Sequence, residues 1–222
     1  NIYYYNQKAE SNTISALIDS LTATTTITSN PGAYAKLQVL LPGVTAAAGT
    51  HTGETGTPTA VTAGTSSTVT VNAVDAYYNV VTSVTNSVAL TSSDTNAVLP
   101  AAAALASGTR SFSVTLKTAG AKNVTAADAT ASFSNKSSNV TVSAAAASKV
   151  AFESKTVTTF AGEASTAFTV VVNDDYDSPV NGTYTMSLFT SSTTGEFRAT
   201  DGITKITSIS ISNASSGQAR YY

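Results

Sequence analysis

The stretch AGTSSTVTVNAVDAYYNVV, residues 63–81, contains an alternating segment, a turn and the start of a second apolar segment. Val69, Val71 and Ala73 alternate with polar residues, which predicts a β-strand that buries one face. The Asp-Ala-Tyr-Tyr-Asn sequence that follows predicts a turn, because Asp and Asn side chains bond to nearby backbone groups. A weaker copy, AGEASTAFTVVVNDDYDSPV, occupies residues 161–180. The two copies indicate a repeated folding unit.

The composition favours an all-β protein. The 222 residues suffice for two domains of about 100 residues each. Thr and Val are β-branched and abundant, whereas helix formers such as Glu, Lys and Gln are scarce. Charged residues make up 11% and the net charge is −2, which provides no electrostatic surface for nucleic acid. Without cysteine there are no disulfides, and no apolar run approaches the roughly 20 residues of a membrane span.

Further internal matches locate the start of each unit. Residues 35–39 match residues 148–152, so one unit begins near position 35 and the next near position 148. Residues 112–126 match residues 2–16. The N-terminal residues therefore resemble the last strands of a unit rather than its beginning.

These matches predict three segments. Residues 1–30 are expected to be the last strands of a preceding unit or of a neighbour's unit. Residues 31–146 are expected to form a complete domain. Residues 147–222 are expected to form a second domain that lacks its final strands, because Gly217 to Tyr222 matches the segment that begins at Gly108.

Alternating apolar residues predict short strands in both units. In the first unit they cover residues 35–41, 67–75, 80–91, 111–117, 121–127 and 138–143. In the second unit they cover residues 149–154, 166–173, 179–190, 205–212 and 218–222. The inward-facing residues predicted there include Val150, Phe152, Tyr184 and Met186. Residues 42–59 are predicted to form a surface loop or short hairpin. Such strands with turns between them are typical of a β-sandwich with Greek-key connections.

Several of these segments resemble a known class of repeat. LQVLLPG at residues 37–43 and VTVNAVDA at residues 69–76 resemble the tandem bacterial Ig-like repeats of large surface and secreted proteins. SSTTGEF at residues 191–197 is similar to a companion repeat type. The resemblance implies tandem Ig-like β-sandwiches that act mostly as spacers and scaffolds. With the low charge and Ser/Thr richness, it predicts an extracellular or cell-surface location.

Asp174, Asp175 and Asp177 form the densest group of carboxylates in the chain. Carboxylate oxygens suit Ca²⁺, but Asp in a turn also accepts hydrogen bonds from its own backbone. The matching loop of the first unit contains only Asp75, so we prefer the turn interpretation and keep calcium as the alternative. No other cofactor is predicted.

Apolar and aromatic residues near both ends are predicted to contact a neighbouring repeat or subunit. They are Ile2, Tyr3, Tyr4, Tyr5, Ile14, Ala16, Ile18, Ile209, Ile211, Tyr221 and Tyr222. For the tyrosines, a position in an ordinary core strand is the alternative. N-x-Ser/Thr sequons make Asn123, Asn139, Asn181 and Asn213 candidate glycosylation sites.

The main hypothesis is a structural building block of an extracellular fibre, sheath or surface stalk whose partner is itself. The chain is expected to be a slice of a long tandem array or a subunit that exchanges strands with the next copy by β-augmentation. The alternative is an adhesin or carbohydrate-binding module that contacts surface glycans. We predict no enzyme, because His51 is the only histidine and no Gly-x-Ser-x-Gly motif occurs.

Overall fold

The computed structural model describes residues 2–131, 136–152, 156–166, 168–199, 201–212 and 217–221. Contacts divide the chain into two compact units, residues 1–142 and residues 143–222. Every regular element among the described residues is a β-strand, so the protein is all-β, as predicted. No helix in these ranges is long and apolar enough to cross a membrane. The three segments expected from the sequence remain a prediction.

Strand bounds in chain order are as follows. The strands up to the unit boundary are β1 (Ser11–Ile18), β2 (Leu21–Thr28), β3 (Lys36–Leu40), β4 (Val44–Ala46), β5 (Glu54–Gly56), β6 (Val61–Thr62), β7 (Ser66–Val74), β8 (Ser87–Ser92), β9 (Ala103–Ala104), β10 (Thr109–Thr115), β11 (Gly120–Asp128) and β12 (Lys136–Ser143). The strands after it are β13 (Lys149–Phe152), β14 (Phe168–Asn173), β15 (Thr183–Ser187), β16 (Phe197–Arg198), β17 (Lys205–Ile206), β18 (Ser208–Ser212) and β19 (Gly217–Tyr221).

Two sheets hold the core of the first unit. One has the strand order β10-β7-β3 and the other the order β6-β12-β11-β8-β9. Val69, Val71 and Ala73 of β7 are all buried, which confirms the predicted alternation. Val88 and Val124 of the other sheet are buried as well. This arrangement is consistent with a β-sandwich.

The predicted hairpin in residues 42–59 is present as β4 paired with β5. It allows a polar residue of β3 to be buried, because the Gln38 side-chain amide donates a hydrogen bond to the Gly53 carbonyl at 2.5 Å. The Gln38 oxygen in turn accepts from the Asn72 amide at 3.0 Å. Burial of these polar groups is tolerated because they bond to one another.

The second unit has a sheet of order β13-β14-β19-β16-β17 and a two-stranded sheet of β15 and β18. Its buried core cluster consists of Val170, Val172, Leu188 and Ile211. Partly buried residues, including Tyr184 and Met186, pack against this cluster. Among the described residues of this unit, these side chains form the apolar core.

Four strand predictions need correction. The strand predicted at residues 205–212 is two strands in different sheets, β17 and β18, because the chain changes sheet at Thr207, whose carbonyl accepts a hydrogen bond from Leu188 N. Residues 2–9, expected to form a strand like residues 112–119, form none. Their backbone bonds to Asn79 instead, whose side chain accepts from Ala9 N at 2.7 Å and donates to Gln7 O at 2.8 Å. The strands predicted at residues 80–91 and 179–190 are shorter, β8 and β15, because Val80 and Pro179 form isolated bridges to the ends of β7 and β14 instead of starting the next strand.

Candidate assembly surfaces

The hairpin of β1 and β2 has one apolar and one polar face. We use the name apolar hairpin face for the side that carries Ile14, Ala16, Ile18, Leu21, Ala23 and Ile27 together with Asn12 and Thr25, as the antiparallel register shows. The other face carries Ser and Thr side chains and Leu17. Ile18 is 69% exposed and Leu21 is 71% exposed. A two-stranded hairpin is marginally stable alone, so such a face favours a contact that covers it.

A second hairpin, β11 with β12, has the same register. Lys122 lies opposite Val140, as Asn12 lies opposite Ile27 in the first hairpin. Ile14 and Ala16 of β1 therefore correspond to Val124 and Ala126 of β11.

Those two β11 residues, Val124 and Ala126, are fully buried. β11 pairs antiparallel with β8 and lies against β3, so its hairpin completes the core of the first unit. The same pairing of matched residues is thus seen twice in the first unit, in one hairpin whose inward residues are buried and in another whose apolar face is largely exposed.

The second unit exposes apolar residues that are buried in the first. Lys149 lies opposite the last residue of β14, as Lys36 lies opposite the last residue of β7, so β13 corresponds to β3. Val150 and Phe152 of β13 are 60% and 55% exposed. Their counterparts in β3, Leu37 and Val39, are 3% and 1% exposed.

This contrast has a simple cause. In the first unit β11, from the other sheet, contacts β3, whereas among the described strands only β14 makes an extensive contact with β13. A cavity of about 420 Å³ opens there, lined mainly by apolar side chains. We call it the apolar groove, and its lining includes Lys149, Val150, Val172, Tyr184, Thr185 and Met186. Val150, Phe152, Tyr184 and Met186 were expected to face a core, and the structure leaves two of them, Val150 and Phe152, more than half exposed.

One edge of β15 also lacks a partner among the described strands. β8 of the first unit pairs with β9 on one side and β11 on the other. β15 pairs only with β18 in the part of the chain that the structure describes. An open edge beside an apolar groove is suited to receiving a strand by backbone pairing.

The turn after β7 is built around a buried carboxylate. Asp75 Oδ1 accepts hydrogen bonds from Tyr77 N at 2.8 Å and Asn79 N at 2.9 Å. Asp75 Oδ2 accepts from Gly32 N at 2.8 Å and Asn79 Nδ2 at 2.9 Å. Burial opposes ionisation of Asp75, but these hydrogen bonds outweigh it and hold the pKa of its carboxyl below the ordinary value. The aspartate therefore ties the segment that precedes β3 to the turn.

The turn after β14 repeats this arrangement. Asp174 Oδ1 accepts from Tyr176 N and Ser178 N, both at 2.9 Å. Asp174 Oδ2 accepts from Ala145 N at 2.9 Å. Both turns also contain a non-glycine residue in the left-handed region, Tyr78 with φ of 67° and Asp177 with φ of 63°. The repeated sequence stretch thus corresponds to a repeated hydrogen-bond pattern.

The three carboxylates considered for calcium have different surroundings. Asp174 is buried and accepts backbone hydrogen bonds, Asp175 is exposed, and Asp177 forms an ion pair with Lys149 at 2.9 Å. Within the described ranges, no group of three or more His, Cys, Asp or Glu residues is placed to hold a metal ion. This geometry matches the turn interpretation, and calcium remains an untested alternative.

The predicted contact residues have varied environments. Ile2, Tyr3 and Tyr5 are largely exposed, although the Tyr5 hydroxyl lies 3.1 Å from that of Tyr77. Ile14, Ala16 and Ile18 lie on the apolar hairpin face. Ile211, by contrast, is 1% exposed, because β18 turns it into the core of the second unit, and Ile209 packs against the same cluster.

The remaining candidates are not brought together in one place. The side chain of Tyr221 and all of Tyr222 lie outside the described residues. Asn123 lies opposite Asn139 on β11 and β12, and Asn181 is exposed. Asn213 falls outside the described ranges. Glycosylation remains a prediction for all four sites.

No protein-family model matches the chain, and no curated protein is similar to it. Among solved structures, InvD of Yersinia pseudotuberculosis aligns with 96% of this chain and 62% of its own, at 16% identity and a TM-score of 0.42. Domains 4–9 of surface layer protein SbsC align with 92% of this chain and 35% of their own, at 14% identity and a TM-score of 0.36.

A glycosyl hydrolase family 2 member from Bacteroides cellulosilyticus DSM 14838 aligns with 60% of this chain, at 15% identity and a TM-score of 0.39. The chain spans only 14–18% of the length of the glycosidases that it matches. Similarities at this level identify no family, and they provide no positive evidence of enzyme activity.

Proposed function

We propose that the chain is a structural building block of an extracellular fibre, sheath or surface stalk, joined to the next block by β-strand complementation. The next block is a second copy or an adjacent unit of a longer tandem Ig-like array. One observation carries the proposal. Val150 and Phe152 are exposed in the second unit, where the equivalent Leu37 and Val39 are covered by a hairpin in the first.

The same chain contains a hairpin of the kind that would cover them. In the β1-β2 hairpin the matched residues pair as in β11-β12, and Ile18 and Leu21 of its apolar face are largely exposed. Donor hairpin and acceptor groove are different surfaces, so the contact is heterologous. Repetition of a heterologous contact produces rings or open filaments rather than closed dimers.

The exposed apolar area of the hairpin determines how much its burial contributes to the affinity of the joint. Full burial of an Ile or Leu side chain is worth about 1.5–3 kcal/mol. Because Ile18 and Leu21 are each about 70% exposed, their burial in a joint should contribute roughly 1–2 kcal/mol apiece. Since 1.4 kcal/mol is tenfold in affinity, losing both should weaken association about 30- to 1,000-fold.

The test is self-association of the full chain, measured by light scattering across a concentration series and by electron microscopy. We expect concentration-dependent oligomers from the unaltered chain. The double variant Ile18→Ser, Leu21→Ser should remain monomeric at concentrations where the unaltered chain associates. The matched control is Leu17→Ser, because Leu17 is 72% exposed on the opposite face of the same hairpin.

Two results would contradict the proposal. One is an unaltered chain that stays monomeric at every concentration. The other is equal association of the double variant and the Leu17→Ser control. A second copy that exchanges strands and an adjacent unit of a tandem array would both form this joint. The experiment therefore tests both arrangements.

A further inference from the structure

We propose that β1, not β2, pairs antiparallel with the open edge of β15 in a second copy, with Ala16 opposite Leu188 and Ile18 opposite Met186. This inference rests on the proposed function and specifies its joint. In this arrangement the apolar hairpin face lies over the apolar groove. The Ser and Thr face of the hairpin remains in water.

The choice of strand comes from the covered hairpin. In the first unit the pairing strand of that hairpin is its first, β11, which lies beside β8. β1 is likewise the first strand of its hairpin, and the two hairpins share one register. β1 should therefore take the inner position and β2 the outer one.

The strands next to β8 and β15, which are β9 and β18, show which residues of β8 and β15 are equivalent. Val88 of β8 lies opposite Ala103 of β9, and Met186 of β15 lies opposite Ile209 of β18. The buried Leu105, just after β9, lies two residues beyond Ala103, as the buried Ile211 lies two residues beyond Ile209; Leu105 N still donates a hydrogen bond to Asn86 O, which continues the pairing. Val88 and Met186 therefore occupy equivalent positions.

The β8-β11 ladder then gives the partners. Leu90 lies opposite Ala126, and Val88 lies opposite Asp128. Transferring this ladder to β15 and β1 places Leu188 opposite Ala16 and Met186 opposite Ile18. At this position the donor hairpin has isoleucine where β11 has an aspartate.

The outward-facing residues of the same ladder provide a probe. Leu17 corresponds to Ala127, which lies opposite Ala89 of β8, so Leu17 should lie opposite Ser187. Leu17 and Ser187 are both exposed, and substitution there leaves the two cores unchanged. The chain has no cysteine, so introduced thiols have no competitors.

The experiment mixes two single-cysteine variants of the full chain, Leu17→Cys and Ser187→Cys, under mild oxidation. One variant carries a mass tag so that mixed dimers can be identified. Directly opposed residues meet disulfide geometry, whereas residues one strand further away do not. We expect mixed disulfides at least about tenfold more abundant than from Thr24→Cys with Ser187→Cys, since Thr24 lies on β2.

Melting curves of each variant establish that it folds. If the chain self-associates through the apolar hairpin face but Thr24→Cys cross-links better, the strand assignment is wrong and the proposed function stands. Association without either disulfide also overturns the pairing. If the chain does not associate at all, the proposed function fails and this inference fails with it.

Discussion

Replacing Asp75 by asparagine should strongly destabilise the first unit. Asparagine keeps the size of the side chain but exchanges one carboxylate oxygen for an NH₂ group, which cannot accept a hydrogen bond. Each oxygen of Asp75 accepts two hydrogen bonds, so two donors lose their acceptor whichever oxygen is kept. In each pair one donor belongs to a buried bond and the other to a part-buried bond, and a buried donor without a partner costs about 1–3 kcal/mol, which predicts a loss of about 1–3 kcal/mol.

Urea unfolding followed by far-ultraviolet circular dichroism measures this loss. With a urea dependence of about 1–3 kcal/mol per molar, a loss near 3 kcal/mol lowers the midpoint by about 1–3 M. The matched control is Asp175→Asn, an exposed aspartate in the equivalent turn, which should change stability by less than about 0.5 kcal/mol. Equal midpoints for Asp75→Asn and Asp175→Asn would refute the structural role of the buried carboxylate.

Three further predictions concern the buried carboxylates, the contact of residues 2–9 with Asn79 and the calcium alternative. Like Asp75, Asp94 and Asp128 accept several hydrogen bonds, Asp94 from Lys117 N and Thr118 N and Asp128 from Asn86 Nδ2 and Thr130 N. Burial opposes ionisation of all three carboxyls, but these bonds hold each pKa below the ordinary value, so the stability they contribute is complete above that value and is lost as the pH falls through the lower folded values. The melting temperature should therefore drop on acidification below about pH 4, and a flat profile from pH 7 to 2 would contradict this. Asn79→Ser, which copies the residue of the second turn, should release residues 2–9 and speed their amide hydrogen exchange, whereas unchanged exchange would show that Asn79 does not hold them. Because the Asp174 oxygens already accept backbone hydrogen bonds, a chelator should shift the melting temperature by less than about one degree, and a larger shift would instead support a bound cation.

The alternation of apolar residues was sufficient to predict most of the strands. β7 follows from Val69, Val71 and Ala73 because side chains of a strand point alternately to opposite faces. The turn at Asp75 followed from local chemistry, since short polar side chains bond to their own backbone. Both features depend on neighbours in sequence, which is why they could be predicted.

The donors that reach Asp75 from further away could not be predicted. Gly32 is distant in sequence, and Asn79 also holds Gln7 and Ala9, so a segment expected to be a strand is tied to a turn instead. Backbone groups of residues 2–9 gave no sequence signal for this contact. It depends on the approach of two segments, which periodicity does not describe.

The sequence by itself determined most of the strands, the repeated turn and which face of those strands is apolar, because these follow from local backbone geometry and period-two alternation. Only the tertiary structure decided which apolar faces are covered. Leu37 and Val150 occupy equivalent strand positions with equivalent patterns, yet one is buried and the other exposed. Burial depends on whether a distant strand lies opposite, and that property belongs to the packing of the chain rather than to any segment of it.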